Sequence, residues 1–282
     1  MRSTDEKLNK LKEYIRKLES VGVAFSSGVD STFLLKTAHD VLGDKCVAIT
    51  ARSISFPQKE QDEAALFCKE EKIRHITFDS LEFQNSVYLS NPVDRCYHCK
   101  KVILSRMIGI AKEEGLQTVI EGSNADDDGN YRPGARALKE LNVLSPLKDC
   151  GLTKKEIRQL SFEMGLKTYD KPSYPCLSTR IPYGEKITPE KIGMIKKAEE
   201  LLSDLGFGQL RVRMHEVSKD HSIEAGKDHY LARIEVMPDD IVMITETQTR
   251  EKILAGFKEI GFLYVTLDLA GYRMGSMDEV HL

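Results

Sequence analysis

Three groups of residues in this sequence carry chemistry. The first is Ser26-Ser27-Gly28-Val29-Asp30-Ser31, which follows the apolar run Val21-Gly22-Val23-Ala24-Phe25 and leads into a helix-like stretch from Ser31 to Leu42. A strand that turns through small residues straight into a helix exposes backbone N–H groups and a positive helix end, a good setting for an anion. Gly28 lets the backbone approach a phosphate, and Ser26 and Ser31 add hydroxyl donors. No lysine follows the glycine, so this is not the kinase-type phosphate loop. The second group is Cys96, Cys99 and Cys176. Cys96-Tyr97-His98-Cys99 is a C-x-x-C at the start of a predicted helix, beside Lys100 and Lys101, a position that favours thiolates. The spacing alone leaves zinc, redox and cluster roles open. The third group is Arg211-Val212-Arg213, whose alternation on a strand points both guanidinium groups to one face, where two forked donors suit a phosphate or carboxylate. Exposed arginines with ion-pair partners such as Glu235 would show the same spacing.

The elements that position these groups change character along the chain. Over the first two-thirds, strand and helix signals alternate as in an open parallel sheet. A helix over 5–19 is followed by strands at Val21–Phe25, Val47–Ala51, Ile73–Phe78 and Thr118–Gly122. Between them come helices over 31–42, 58–72 and 100–114. Val143–Leu147 reads as a last, proline-limited strand, and Thr153 with Glu156 has capping-box spacing. Residues 168–187 hold three prolines, three tyrosines and a cysteine without periodicity, the composition of a functional loop. An αββαβ order then follows, with helices over 189–205 and 239–258 and strands at Leu210–His215, Tyr230–Val236 and Leu263–Leu269. The expected class is α/β, with a parallel-sheet domain over 1–170, an active-site loop over 171–187 and a small α+β domain over 188–282.

The 282 residues suit one large domain or two modest ones, and 41% hydrophobic with 30% charged residues excludes disordered and low-complexity classes. A net charge of −3 gives no general attraction for nucleic acid, which is not expected as a partner. No apolar run reaches the ~18 residues of a membrane span, and the charged start of the chain lacks a signal-peptide core. A cytoplasmic protein is expected, and a reducing cytoplasm keeps its six cysteines as thiols. Cys46 and Cys68, in apolar surroundings, read as core residues, while Cys150 offers no argument. The seven histidines form no ligand or triad pattern.

The loop at 26–31 closely resembles the S-G-G-x-D-S pyrophosphate loop of the ATP-pyrophosphatase superfamily, with its adenine-nucleotide alpha hydrolase-like fold and its cleavage of ATP to AMP and pyrophosphate. Ser27 stands where that motif has its first glycine, a change the turn tolerates if Ser27 keeps a negative φ. Further segments occur in order: Asn130-Tyr131-Arg132-Pro133-Gly134, Pro175-Cys176-Leu177-Ser178-Thr179-Arg180-Ile181-Pro182-Tyr183-Gly184, Arg211-Val212-Arg213, Tyr264-Val265-Thr266-Leu267-Asp268-Leu269 and Gly271-Tyr272-Arg273. Together they resemble the LarE family of ATP-dependent sulfur transferases, which build the nickel-pincer cofactor of lactate racemase.

That resemblance implies a phosphorylated substrate, pyridinium-3,5-dicarboxylic acid mononucleotide, whose carboxylates are adenylated and converted to thiocarboxylates. It implies ATP at Ser26, Ser27, Gly28, Asp30, Ser31 and Gly122, Mg²⁺ on ligands that the sequence leaves open, and substrate binding at Ser178, Arg180, Arg211 and Arg213. Glu121, Asn124 and the run Asp126-Asp127-Asp128 lie near the same strand end and offer hard oxygen ligands. Asp30 and Cys176 are the expected catalytic residues. Some family members sacrifice one cysteine as the sulfur donor. Others resemble this chain in pairing C-x-x-C with a third cysteine, and they hold a [4Fe–4S] cluster, here on Cys96, Cys99 and Cys176. Sulfide or a sulfur-donor protein would then reload an open iron. A homo-oligomer is expected. Three alternatives stay open: the sacrificial use of Cys176, thiolation of a tRNA base by the same superfamily, and an inactive ATP-sensing module. Zinc on the three cysteines and His98 is disfavoured, because His98 lies between two of them.

Overall fold

The computed structural model describes residues 3–127, 133–172, 174–217 and 229–273. The chain forms two compact units, Met1–Tyr88 with Val93–Tyr174, and Leu89–Pro92 with Pro175–Leu282. Asn130, Tyr131, Arg132 and Asp128 lie outside the described residues.

The first unit runs α1 (Thr4–Lys17), β1 (Val21–Ala24), α2 (Val29–Leu42), β2 (Cys46–Arg52), α3 (Gln58–Glu70), β3 (Arg74–Asp79), α4 (Ser86–Leu89), α5 (Arg95–Glu113), β4 (Thr118–Ile120), α6 (Pro133–Glu140), α7 (Pro146–Asp149) and α8 (Lys154–Glu163). Its four strands are parallel in the order β3-β2-β1-β4. Both faces are covered, as a parallel sheet requires. Cys46 and Ala48 of β2 pack with α1, α2 and α8, while Val47, Ile49 and Ala51 pack with α5 and α6. The strand order reverses between β1 and β4, and ligands of such sheets bind at the carboxyl ends beside that reversal.

Local chemistry sets the boundaries. Thr153 and Glu156 form the capping box that starts α8, as their spacing predicts. Helix α2 begins at Val29, two residues before the expected start, so Gly28 becomes its N-cap and Asp30 lies in its first turn. Helix α5 begins at Arg95 and takes the whole C-x-x-C into its first turns. The expected strand at Val143–Leu147 is corrected: only a parallel bridge from Leu144 to Ile120 forms, and Pro146, a favourable first residue, opens α7.

The second unit runs α9 (Pro189–Asp204), β5 (Leu210–Val217), β6 (His229–Val236), α10 (Ile241–Thr245), α11 (Thr247–Ile260) and β7 (Tyr264–Leu267). Strand β6 is central, antiparallel to β5 and parallel to β7. The single helix expected over 239–258 is broken at Glu246, whose ψ of 140° is extended. Thr245 turns its hydroxyl back onto the carbonyls of Ile241 and Val242, a bonding mode that bends helices. The segment Leu89–Pro92 joins this unit through Asn91, whose side-chain amide donates to the carbonyls of Ile181 and Pro182.

Candidate active site

The loop after β1 stands at the sheet reversal. Ser26 and Ser31 hydroxyls are 3.1 Å apart, and Ser31 also donates to the Gly28 carbonyl at 3.2 Å. The N-terminus of α2 has no side-chain cap at Gly28, an arrangement that suits an anion. A Cβ on Gly28 would meet only Ser26 Oγ at 3.6 Å and Ser31 Oγ at 4.0 Å, so internal packing does not require glycine there. Gly122, just after β4, differs. A Cβ there would lie 3.0 Å from the Ser31 nitrogen and 3.3 Å from Asp30, so glycine lets the two strand ends close on each other.

Ser27 corrects the expectation of a negative φ: its φ is 56°, in the left-handed region. That conformation costs a residue with a Cβ roughly 1–2 kcal/mol. The buried side chain answers with a bond from Oγ to the Glu60 carbonyl at 2.8 Å. The Asp30 carboxylate receives Asn124 Nδ2 at 3.4 Å and pairs with Lys154 of α8, a partner that no local pattern identifies. The acidic residues beyond β4 hold backbone. Glu121 accepts from Ser123 and Ser145, Asp127 from the Asn124 amide, and Asp126 from the Lys154 amide.

The six cysteines divide sharply. Cys46, Cys68 and Cys150 are buried in the core, where burial pushes the first two thiols up to about 12 and raises the third. Cys96 is exposed and Cys99 and Cys176 are half-buried. Tyr97, between the first two, anchors the start of α5: Arg136 of α6 lies 3.4 Å above its ring, and its hydroxyl donates to Glu140 at 2.8 Å.

In the second unit, Cys176 precedes a tight turn over Leu177–Arg180. Its carbonyl accepts from the Thr179 amide and hydroxyl and from Arg180 Nη1. Arg180 is 1% exposed and forks onto Glu199 of α9 at 2.8 and 3.0 Å, and Nη1 also meets the Pro175 carbonyl. Ser178 is buried in the same turn. Arg213 places Nε and Nη2 on Glu235 at 3.1 and 2.9 Å and Nη1 on the Thr179 carbonyl. Arg211, 2% exposed, lies over the Tyr272 ring at 5.0 Å. Burial, then the nearby charge of Arg180, lowers its guanidinium below the ordinary arginine range.

The arginines are thus interior groups rather than solvated ones. Arg233 and Arg273 extend the cluster through Asp268, giving five arginines and three carboxylates. The excess positive charge suits a phosphorylated or carboxylated ligand. Gly271 fits here too. Its φ is 67°, and a Cβ would meet the Val236 carbonyl at 2.9 Å, so glycine lets the chain turn and bring Tyr272 under Arg211. Glu199, Lys154 and Arg158 escape sequence reasoning, since charged residues on amphipathic helices read as solvated faces, and Lys171 escapes it because it lies in the irregular segment after α8.

A parallel sheet with a small-residue phosphate loop at its reversal defines an α/β protein of the ATP-using PP-loop superfamily. Similarity to known proteins narrows this class. No family model matches the chain. It is 34% identical over 271 residues to the pyridinium-3,5-bisthiocarboxylic acid mononucleotide synthase of Lactiplantibacillus plantarum, covering 94% of this chain and 91% of that protein. An uncharacterized protein of Synechocystis sp. is 40% identical over 276 residues, 98% of each chain. A subunit of the glutamine-hydrolyzing GMP synthase of Pyrococcus furiosus is 24% identical over 215 residues, 71% of this chain and 67% of that protein. The chain belongs to the pyridinium-3,5-bisthiocarboxylic acid mononucleotide synthase family, the LarE family. No helix among the described residues is long and apolar enough to cross a membrane.

Proposed function

We propose that the chain is an ATP-dependent sulfur transferase that converts the carboxylates of pyridinium-3,5-biscarboxylic acid mononucleotide to thiocarboxylates for a nickel-pincer cofactor. The similarity to the Lactiplantibacillus synthase across 94% of the chain carries this reading. A substrate carboxylate oxygen attacks the α-phosphorus of ATP and pyrophosphate leaves; sulfide then attacks the acyl carbon and AMP leaves, with no net oxidation. The amides at the start of α2, with the Ser26 and Ser31 hydroxyls, would bind the phosphates. Mg²⁺ would be held by Asp30, whose carboxylate also meets Lys154 and Asn124. Arg211 and Arg213, with Ser178 and Arg180, would hold the substrate's anionic groups; Arg180 does so by fixing the Cys176 turn.

A [4Fe–4S] cluster on Cys96, Cys99 and Cys176 is part of the proposal. Its support is the division of the cysteines: three are buried, and the three that are not are those the family pattern requires. Cys96 and Cys99 lie three residues apart in the first turns of α5, so one helix face presents both. Cys176 belongs to the other unit, and no metal-holding group of three His, Cys, Asp or Glu exists among the described residues. When bound, such a cluster supplies sulfide on an iron without a protein ligand. The reaction is placed in the cytoplasm, where thiols persist, in a homo-oligomer fed by sulfide or a sulfur-donor protein.

The test is anaerobic purification with iron and sulfide analysis, followed by turnover with ATP, Mg²⁺ and the mononucleotide. AMP, pyrophosphate and repeated thiocarboxylate formation are expected, and Cys96→Ala or Cys99→Ala should remove both the brown chromophore and repeated turnover. Stoichiometric conversion of Cys176 to dehydroalanine in iron-loaded protein would instead establish a sacrificial donor. Labelled sulfur entering tRNA, and not the mononucleotide, would overturn the substrate.

A further inference from the structure

Lys171 stands five residues before Cys176 in the chain, and its ammonium reaches back to the phosphate loop. It donates to the Ser27 carbonyl at 3.0 Å and to Ser27 Oγ at 3.3 Å. It also pairs with Glu60 at 2.6 Å and Glu63 at 2.5 Å, both on α3. The side chain is only 12% exposed. An ammonium has three donors, so these four acceptors saturate it and fix its position. The backbone beneath it is held as well. Arg158 of α8 donates to the Tyr169 carbonyl at 2.7 Å and to the Lys171 carbonyl at 2.9 Å.

Ser27 needs such a hold. It is the loop residue with a φ of 56°, a region where a residue with a Cβ is uncommon. Its hydroxyl is tied to the Glu60 carbonyl and the Lys171 ammonium, and its carbonyl to the same ammonium. Together these contacts set the tilt of the Ser27–Gly28 peptide, which enters the phosphate loop. We infer that Lys171 is a positioning residue that pins Ser27 in its left-handed conformation and thereby couples the phosphate loop to the segment 169–172. The inference goes beyond the sulfur-transfer reading and requires no particular acceptor.

Two measurements test it: hydrogen exchange of the nucleotide-free protein, and equilibrium binding of a non-hydrolysable ATP analogue with Mg²⁺. Losing the pin lets Ser27 relax, so Lys171→Met should speed exchange of the loop amides and weaken the analogue by ~10-fold, with Lys171→Arg in between. Adding Ser27→Gly to Lys171→Met should restore affinity to within ~3-fold of the starting protein, because glycine adopts a positive φ unaided. Exchange at 169–171 should stay fast in that double variant, since the link remains cut. A merely structural lysine gives no such split between loop and segment. Unchanged loop exchange in Lys171→Met, or a failed rescue by Ser27→Gly, overturns the pin. Rescue by Glu60→Gln with Glu63→Gln instead would also overturn it and leave Lys171 a counter-ion. Exchange is read without nucleotide, so a chain that bound no ATP would refute the nucleotide reading separately.

Discussion

The phosphate loop and the arginine cluster both gather donors that suit anions, and they are built from opposite materials. The loop uses backbone amides, small hydroxyls and glycines at the end of a parallel strand, where the sheet order reverses. The cluster uses long charged side chains on an antiparallel pair, taken almost wholly out of water: Arg211 is 2% exposed, Arg213 5% and Glu235 0%. Backbone donors require little desolvation of charge, so the loop depends mainly on room for its ligand. Buried guanidinium groups must be matched by carboxylates before any ligand arrives. Loss of space should therefore impair the first site, and loss of internal charge balance the second.

Glu235→Gln should produce the largest effect. The carboxylate meets buried Arg213 and half-buried Arg233, and a neutral isostere takes its charge from both while Arg233 keeps Asp268. Unfolding in denaturant should show a loss of ~3–5 kcal/mol, the usual cost of breaking a buried pair from one side. A loss near zero would mean that water enters the cluster freely.

At the loop, Gly28→Ala should leave the melting temperature nearly unchanged, because the new methyl meets its neighbours at 3.6 and 4.0 Å, ordinary contact distances. On the proposed function the methyl would enter the space of a phosphate, and pyrophosphate release should fall by at least ~10²-fold. Gly122→Val should reduce both stability and activity, since its Cβ would press on the Ser31 nitrogen from 3.0 Å. Equal loss of stability in the two variants would dissolve the distinction between ligand space and packing space.

The same contrast explains what the sequence reveals. An amide site needs small residues between a strand and a helix, so Ser26 to Ser31 is legible as a local string, and so is the capping box at Thr153 and Glu156. The class of the sheet follows from alternating strand and helix signals. Partners are not local. Glu199 lies nineteen residues from Arg180, and Lys171 lies 144 from Ser27; periodicity places the first on a helix face without saying what it meets, and the second sits in an irregular segment that has no periodicity to read. Val143–Leu147 misleads for a related reason. Its apolar residues are buried beside β4, yet Pro146 starts a helix turn before a ladder can extend. Ser27 shows the limit most clearly, since its type suggests a negative φ and tertiary contacts impose the other sign.

Arg211→Met should separate stability from binding. Burial and the charge of Arg180 already disfavour its charged form, so an apolar side chain of similar length should leave stability unchanged or raise it slightly. The apparent KM for the phosphorylated acceptor should rise by roughly tenfold, the value of one charge-assisted contact of about 1.5 kcal/mol. The KM for ATP should stay constant. A matching rise in both would show that the cluster does not serve the acceptor alone.

The smallest effect is a pH dependence with one origin in each unit. His75 of β3, with its ring nitrogen 2.8 Å from the Thr50 hydroxyl, is held below the ordinary histidine range by burial. His215 of β5 is lowered by burial first and then by Arg233 and Arg213. In both cases the unfolded chain takes up a proton at a higher pH than the folded one. The stability tied to the neutral rings is therefore complete above the unfolded value of about 6.5 and is lost as pH falls from there toward the folded values. Melting temperatures should be flat between about pH 7 and 8 and should decline below 6.5. His75→Gln and His215→Gln should each remove part of that decline, the first through the parallel sheet and the second through the arginine cluster. Because two cations add to burial at His215, its replacement should flatten the curve more. A larger flattening from His75→Gln would mean that burial in the sheet outweighs the arginine charges, and that the cluster is better screened than its depth implies.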